Sequence, residues 1–183
     1  MEIKRVAEEI FSFQLFPEDF CARIIESSRR GAWRQATIYR DGKERLVPGA
    51  RLCEEMRSRD FALLRRCFDE RFASVVVPLV KICWEVRVKR WMSWFIRYKI
   101  GGFTGRHVDY YPGCAARNRP RIISLTCYLN DDFSGGRTVF HRQNCAVAPK
   151  RGQAIIFPSG FTHPHCSEPV VTGTKHVFVV RLS

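Results

Sequence analysis

The chain has 183 residues, of which 45% are hydrophobic and 27% are charged, the composition of an ordinary globular protein. No apolar run approaches the roughly 20 residues that a membrane-spanning helix needs. The N-terminal segment carries acidic residues and no long apolar core, which excludes a secretory signal, so we expect a cytoplasmic protein without membrane attachment. None of the eight cysteines forms a Cys-x-x-Cys pair, so we expect reduced thiols rather than a structural zinc site.

The formal net charge at pH 7 is +13, and the excess of positive charge extends into the second half of the chain. Residues 91–183 contain twelve Lys or Arg residues and only four acidic residues. Such an excess indicates an acidic partner, a nucleic acid or simply a soluble surface. Composition alone does not choose among these three.

Helices are expected to dominate the first ninety residues. Residues 17–30 begin with proline and two acids and end in two arginines, the charge order that a helix dipole favours. Residues 33–40 alternate like a strand, and residues 58–86 are typical of a long helix that Pro78 should kink or end. The chain has no repeat and no linker, so we expect one domain over 1–183, with 1–90 supporting a catalytic core over 91–183.

Short strands separated by turns are expected from about residue 90 onward. Strands at this spacing favour a sandwich or barrel, and helices on one side make the fold class α+β. The six segments that carry the strand pattern are 88–100, 121–130, 137–142, 145–150, 153–160 and 175–183.

A candidate metal site begins with the tripeptide "HVD". On a strand, residues two apart point to the same face, so His107 and Asp109 are able to chelate one ion together. Imidazole and carboxylate suit a first-row metal such as Fe(II), and a third ligand would complete the two-histidine, one-carboxylate set of non-haem Fe(II) oxygenases. The segment "THPHC" offers two candidates for that ligand, His163 and His165.

A lysine follows the second of these histidines by ten residues. An enzyme that uses 2-oxoglutarate needs a buried cation for the far carboxylate of this cosubstrate, because an unpaired buried carboxylate is costly. Lys175 is able to supply that charge.

These motifs stand in the order of a known family. The segment from about 95 to 182 resembles the prolyl 4-hydroxylase branch of the Fe(II)/2-oxoglutarate dioxygenases. The resemblance is carried by "RYKIGG", "HVD", "RIISLTCYLNDDFSGGRTVF", "PKRGQAIIF" and "HCSEPVVTGTK". It implies a double-stranded β-helix, or jelly-roll, core with the N-terminal helices packed on one sheet and the iron at its open mouth.

The resemblance also implies residue roles. Iron would be held by the catalytic residues His107, Asp109 and His165, and Lys175 would bind 2-oxoglutarate. Members of this branch often have a tyrosine three residues before the first histidine, where this chain has Thr104. The hydroxyl that would assist the lysine is left open among four residues: Tyr98, Thr104, Thr126 and Tyr128.

Contacts with the substrate are less defined. The loop "CAARNRPR" follows the metal-binding strand, and its Arg117, Arg119 and Arg121 would either grip an acidic group or simply be solvated. His163 would be either a loop residue near the metal or a contact to the substrate.

The activity implied is hydroxylation of an unactivated C–H bond of an amino-acid residue, prolyl-type, in a protein or peptide. Its cofactors would be Fe(II), 2-oxoglutarate and O2, and its coproducts succinate and CO2. The alternative is hydroxylation of a free amino acid or small metabolite. An AlkB-type nucleic-acid demethylase is less favoured, because that family generally has two arginines at a greater distance from the distal histidine. In this chain Arg181 should also lie roughly 20 Å along a strand from Lys175, too far for the two to share one carboxylate. The sequence leaves open the oligomeric state and a requirement for ascorbate.

Overall fold

A computed structural model describes residues 2–40, 43–57, 69–110 and 121–183 of the chain. Its largest element is an eight-stranded sheet in which every neighbouring pair is antiparallel. The strand order is β1 (Ile3–Ala7), β2 (Ile10–Gln14), β14 (Gln153–Pro158), β10 (Ile123–Tyr128), β17 (Lys175–Leu182), β8 (Trp91–Tyr98), β7 (Glu54–Arg57) and β3 (Arg34–Gln35).

A second antiparallel sheet has five shorter strands. Its order is β13 (Cys145–Val147), β12 (Thr138–Phe140), β15 (His165–Ser167), β9 (Phe103–His107) and β6 (Arg51–Leu52). Two further pairs are β11 (Ser134–Gly135) with β16 (Val170–Thr172), and β4 (Ile38–Arg40) with β5 (Lys43–Arg45).

The large sheet has a core on each of its faces, as the alternation along β17 demonstrates. Val177 and Val179 belong to a cluster that also contains Phe140 of the second sheet. Phe178 and Val180 point the other way, into a cluster with residues of the helices. Because neighbouring side chains of a strand face opposite ways, one apolar run serves both cores. The predicted α+β class is confirmed.

The helices cover the outer face of the large sheet. Helix α1 (Glu18–Ser28) agrees with the predicted segment 17–30 within two residues at each end, and it buries Cys21 and Ile24. Helix α2 (Val77–Trp84) follows a π-helical turn, Phe72–Val76, and ends at Glu85, whose φ is 56°. Residues 58–68 of the predicted long helix lie outside the described residues.

Pro78 lies in the first turn of α2, directly after the π-helical turn Phe72–Val76. The change from π-helical to α-helical geometry next to the proline agrees with the prediction that Pro78 ends the first part of the helix, and the alternative of a kink stays a prediction. A proline in a helix lacks an N–H donor and its ring crowds the carbonyl four residues earlier, and a wider turn is one way to relieve that conflict.

Strands were underpredicted in the N-terminal half. The β1–β2 hairpin was missed, and it extends the large sheet beyond β14. The predicted strand 33–40 is divided into β3 and β4, which pair with different partners. All six strands predicted after residue 88 are present, as β8, β10, β12, β13, β14 and β17.

Two further findings concern the described ranges. No helix there combines the length and the apolarity needed to cross a membrane. The six cysteines in those ranges are free thiols, three of them buried.

Candidate metal centre and cosubstrate pocket

The structure brings His107, Asp109 and His165 together. Their ligand atoms all lie within 4.8 Å of one another. Nε2 of His107 is 3.4 Å from Oδ1 of Asp109, and Nε2 of His165 is 3.8 Å from Oδ2 of the same carboxylate. Two imidazole nitrogens and one carboxylate oxygen therefore converge, although His107 and His165 are 58 positions apart in the sequence.

Strand pairing places the two histidines. His165 opens β15 and lies directly opposite His107, the last residue of β9. Their ring centroids are 4.4 Å apart. Asp109 lies two residues beyond the end of β9, not on the strand as expected, and its backbone N–H donates to the Ser159 carbonyl at 3.1 Å. The carboxylate is therefore held beside the histidines by a loop contact rather than by strand alternation.

Backbone carbonyls orient both imidazole rings. Nδ1 of His107 is 2.9 Å from the Gly105 carbonyl, and Nδ1 of His165 is 3.0 Å from the His163 carbonyl. A carbonyl only accepts, so each Nδ1 carries a proton, and in the neutral form of either ring Nε2 keeps its lone pair. These two Nε2 atoms are the ones that face Asp109.

Electrostatics keep His165 and Asp109 in the form that binds a metal. Burial lowers the pKa of His165 to about 4, although Asp109 opposes that shift, so the ring is neutral at pH 7. Burial by itself would raise the pKa of Asp109, but the Arg181 charge, followed by His165 and His107, holds it well below its usual value. Metal binding requires neutral imidazole and ionised carboxylate, and both are present here.

Two polar side chains hold the Asp109 carboxylate from opposite sides. The Ser124 hydroxyl donates to Oδ2 at 2.6 Å and is itself 2.6 Å from the Ser159 hydroxyl. Nη2 of Arg181 donates to Oδ1 at 2.5 Å. Because both oxygens are hydrogen-bonded, the protein itself fixes the orientation of the carboxylate plane, a feature typical of metal sites.

A cavity of about 660 Å³ opens over this cluster and contains Lys175. The lysine side chain is 2% exposed, and its ammonium donates to the Gly136 carbonyl at 2.6 Å and to the Ser167 hydroxyl at 2.8 Å. Its Nζ also lies 5.0 Å from the centre of the Tyr98 ring. Burial lowers the pKa of Lys175 to about 7, because an ammonium group away from water is costly to keep charged.

The four hydroxyl candidates are not equivalent. Tyr98, Thr104 and Thr126 line the cavity, whereas Tyr128 does not, and its hydroxyl donates to Thr138 at 2.7 Å. The Tyr98 hydroxyl lies 3.1 Å from that of Thr104, and burial raises the pKa of Tyr98 to about 12. Three protonated hydroxyls are therefore available to a ligand in the same cavity as Lys175.

The predicted substrate contacts separate in the same way. Arg121 lines the cavity, and Arg117 and Arg119 lie outside the described residues. His163 does not line it: the ring is 3% exposed, and Nε2 lies 3.3 Å from the Glu8 carbonyl in the loop between β1 and β2. This position favours a structural role for His163.

Sequence reasoning missed three residues of the site, namely Arg181, Ser124 and Ser167. Arg181 was considered only as a partner of Lys175 for one carboxylate and judged too far away for that role; the structure shows instead that it lines the same cavity and contacts Asp109. The available signal was parity, since Lys175 and Arg181 are six residues apart on one strand and therefore share a face. No local pattern marks the two serines.

The donor set fits Fe(II). Two imidazoles and one carboxylate on one side of an ion, with a cavity on the other side, is the arrangement of non-haem Fe(II) oxygenases. Lys175 in the same cavity adds the cation that a second, carboxylate-bearing ligand would need.

Sequence comparison identifies the family. The profile of the 2OG-Fe(II) oxygenase superfamily matches residues 93–182. Procollagen-lysine,2-oxoglutarate 5-dioxygenase 1 of Mus musculus is 24% identical over an alignment of 183 positions, which covers 93% of this chain. A multifunctional procollagen lysine hydroxylase and glycosyltransferase of Caenorhabditis elegans is also 24% identical, over 97% of this chain. The match spans only about a quarter of the length of these relatives, 23% and 24%.

Structural comparison identifies the fold. A Trichoplax adhaerens prolyl hydroxylase, solved with a hypoxia inducible factor oxygen degradation domain peptide fragment, has a TM-score of 0.76 at 14% identity, covering 95% of this chain and 83% of that one. A Pseudomonas putida prolyl-4-hydroxylase has a TM-score of 0.72 at 18% identity, covering 95% and 92%. These matches confirm the predicted double-stranded β-helix. The chain therefore belongs to the superfamily of 2-oxoglutarate- and Fe(II)-dependent oxygenases, and its fold is that of the prolyl 4-hydroxylase-like members.

Proposed function

We propose that the protein hydroxylates an unactivated C–H bond of an amino-acid residue, prolyl-type, in a protein or peptide. One observation carries this proposal: the three convergent ligand atoms and the buried Lys175 line a single cavity. A structural ion site would need only the first feature, whereas a 2-oxoglutarate enzyme needs both.

The chain's own residues divide the work of binding. His107, Asp109 and His165 would hold the iron through Nε2, a carboxylate oxygen and Nε2. Lys175 would bind the far carboxylate of 2-oxoglutarate, with the nearby hydroxyls of Tyr98 and Thr104 as further donors. When bound, Fe(II) with 2-oxoglutarate and O2 supplies oxidative decarboxylation to succinate and CO2, together with insertion of one oxygen atom into the C–H bond.

The protein's contribution beyond binding is orientation. The Ser124 and Arg181 contacts hold the Asp109 carboxylate, and the carbonyl contacts hold both imidazoles, so the open side of the centre faces the cavity. Apolar side chains of β17, Val177 and Val179, line the cavity between Lys175 and Arg181. Such a wall restricts water near the reacting atoms, which protects an oxidising step from side reactions.

The peptide or protein substrate is supported by the relatives rather than by the cavity. Prolyl hydroxylases are among the fold neighbours, and one of them was solved with a peptide fragment. The sequence relatives are procollagen lysine hydroxylases, which makes a lysyl side chain the second candidate. A free amino acid or small metabolite remains the alternative from another substrate class.

Succinate formation from 2-oxoglutarate, with Fe(II) and O2, is the direct test. The purified protein receives the protein, nucleic-acid or small-molecule fraction of a cell extract, each separately. We expect stimulation by the protein fraction and a gain of one oxygen atom in the target. Stimulation by only the small-molecule fraction or only the nucleic-acid fraction would replace the proposed substrate class.

A pair of histidine variants tests the metal assignment in the same assay. His165→Ala should abolish Fe(II)-dependent succinate formation, because it removes one of three ligands. His141→Ala is the matched control, since this histidine is exposed and lies outside the cavity. Retained turnover in His165→Ala would refute the proposed centre.

A further inference from the structure

The cavity carries more positive charge than the proposed cosubstrate can neutralise. Among the residues that the structure describes, three carboxylates line it, against Lys175 and five arginines: Arg34, Arg51, Arg106, Arg121 and Arg181. A bound Fe(II) ion would add two positive charges, and 2-oxoglutarate would remove two. The net excess therefore persists when both are bound, and it indicates a further anion.

Two of these arginines converge on one metal-binding residue. Nη2 of Arg181 donates to the Asp109 carboxylate at 2.5 Å, and Nη1 of Arg121 donates to the backbone carbonyl of the same residue at 3.3 Å. The Arg181 side chain is only 14% exposed. Both guanidinium groups are thus held beside a proposed metal ligand.

The geometry separates this pair from the cosubstrate lysine. Arg181 and Lys175 both face the cavity from β17. They are six residues apart on this extended strand, so their Cα atoms are roughly 20 Å apart. With the far carboxylate of 2-oxoglutarate at Lys175, the arginine pair lies at the opposite end of the cavity. That end is the one left for the substrate.

Like charges are crowded at that end. Burial disfavours the charge of the Arg181 guanidinium, the Asp109 carboxylate favours it, and the positive charges of Arg121 and Arg51 both oppose it. The Glu55 carboxylate offsets the positive charge at this end only in part, because it already pairs with Arg34 at 2.8 Å and with Arg51 at 3.6 Å. Convergent cations in a cleft cost free energy that a bound anion recovers, a feature typical of binding sites.

We infer that Arg121 and Arg181 form a subsite for a carboxylate of the substrate, an inference that rests on the proposed function. The planar guanidinium fork matches a carboxylate and binds it more strongly than a neutral acceptor. The carboxylate would come from an Asp or Glu next to the hydroxylated residue, or from the α-carboxylate of a free amino acid.

A nucleic acid suits this end of the cavity less well. Proteins that bind single strands stack bases on aromatic rings. Trp94 lines the cavity here, but the Arg121 guanidinium lies 6.0 Å from its ring centroid. The Arg121 guanidinium therefore lies over the face of the Trp94 ring on which a base would stack.

Binding of labelled peptides tests the subsite without requiring turnover. The protein is loaded with Mn(II) and 2-oxoglutarate, and fluorescence anisotropy follows three hexapeptides with a central proline flanked by Glu, Gln or Lys. We expect the Glu peptide to bind about tenfold more tightly than the Gln peptide, and the Lys peptide most weakly. Added salt should reduce the advantage of the Glu peptide and leave the Gln peptide unchanged.

Charge-matched variants assign the effect to the two arginines. Arg121→Gln should bring the Glu-to-Gln affinity ratio close to one without changing the affinity for 2-oxoglutarate. Arg181→Lys keeps the charge but loses the fork, so it should lower the ratio by a smaller factor. Arg23→Gln is the control, since it removes the same charge from an exposed helix position outside the cavity and should leave the ratio unchanged.

Several results would overturn the inference. Equal binding of the Glu and Gln peptides, or no binding of either, would remove the subsite, and so would an unchanged ratio in Arg121→Gln. A parallel loss of 2-oxoglutarate affinity would assign the arginines to the cosubstrate, and tighter binding of an oligothymidine would assign them to nucleic acid. Competition by free proline or lysine, lost in Arg121→Gln, would support the inference with an α-carboxylate as the source.

Failure of the proposed function would be visible separately. It would appear as a lack of Fe(II)-dependent succinate formation with every fraction of the extract, whereas peptide binding is measured with a metal and cosubstrate that need not react.

Discussion

Replacing Lys175 by methionine should make the free protein more stable while it abolishes 2-oxoglutarate binding. The lysine side chain is 2% exposed, and burial lowers its pKa to about 7 from an ordinary 10.5. The folded protein at pH 7 therefore carries the cost of a buried, partly charged ammonium group that the unfolded chain does not carry. Methionine fills a similar volume without charge.

The magnitude follows from the difference between the two pKa values. One pKa unit corresponds to about 1.4 kcal/mol, so the lysine lowers the free energy of unfolding at pH 7 by roughly 4 kcal/mol. The substitution also removes the donor to the Gly136 carbonyl and to the Ser167 hydroxyl. The fixed carbonyl accounts for most of the cost, about 1 to 3 kcal/mol, because a hydroxyl is able to rotate toward another partner. The expected net gain for Lys175→Met is therefore about 1 to 3 kcal/mol.

The pH dependence has a definite sign. Between pH 7 and pH 10.5 the unfolded chain keeps a proton on Lys175 that the folded chain releases. The unfolded state binds more protons in this window, so the free energy of unfolding of the wild type rises with pH there. The advantage of Lys175→Met should consequently shrink by roughly 2 kcal/mol between pH 7 and pH 9.

Urea unfolding of metal-free protein at pH 7 and pH 9 measures both quantities. A variant less stable than the wild type at pH 7, or an advantage that does not change with pH, would refute the reasoning. At saturating Mn(II), which both proteins should bind, added 2-oxoglutarate should further stabilise the wild type and not the variant, because only the wild type has the cation for the far carboxylate.

Three further substitutions have defined expected outcomes. Ser124→Ala removes the 2.6 Å hydrogen bond to Asp109, so calorimetric titration should give roughly tenfold weaker Mn(II) binding; unchanged affinity would contradict the role of this hydroxyl. Phe178→Ala should lower the free energy of unfolding by about 3 to 5 kcal/mol in urea, because the ring is 1% exposed between sheet and helices; a loss under about 1 kcal/mol would mean that the core collapses around the gap. Gly135→Ala should destabilise by about 1 to 3 kcal/mol, since its φ is 76° and a Cβ would lie 2.4 Å from a carbonyl oxygen; Gly49→Ala, with open space around it, is the control in the same thermal melts.

The second half of the fold was predictable because its signals are local. Alternation of apolar and polar residues and the turn residues between them depend on a few neighbours, and all six predicted strands are present. The N-terminal half was less predictable. The β1–β2 hairpin is stabilised by pairing with β14, about 140 residues away, so its own sequence carries only part of the signal.

The sequence by itself determined the candidate ligands, the cosubstrate lysine and the strands that carry them. The tripeptide His107-Val108-Asp109 indicated two ligands by residue type and spacing, and the resemblance to the family chose His165 over His163 and assigned Lys175. Tertiary structure alone decided how that set is supported, because Ser124 and Arg181 hold Asp109 across 15 and 72 residues of sequence. It also decided the proposed arginine pair, since Arg121 and Arg181 come together only through their contacts with Asp109. Hydrogen bonds between distant segments depend on packing, and no local pattern records them.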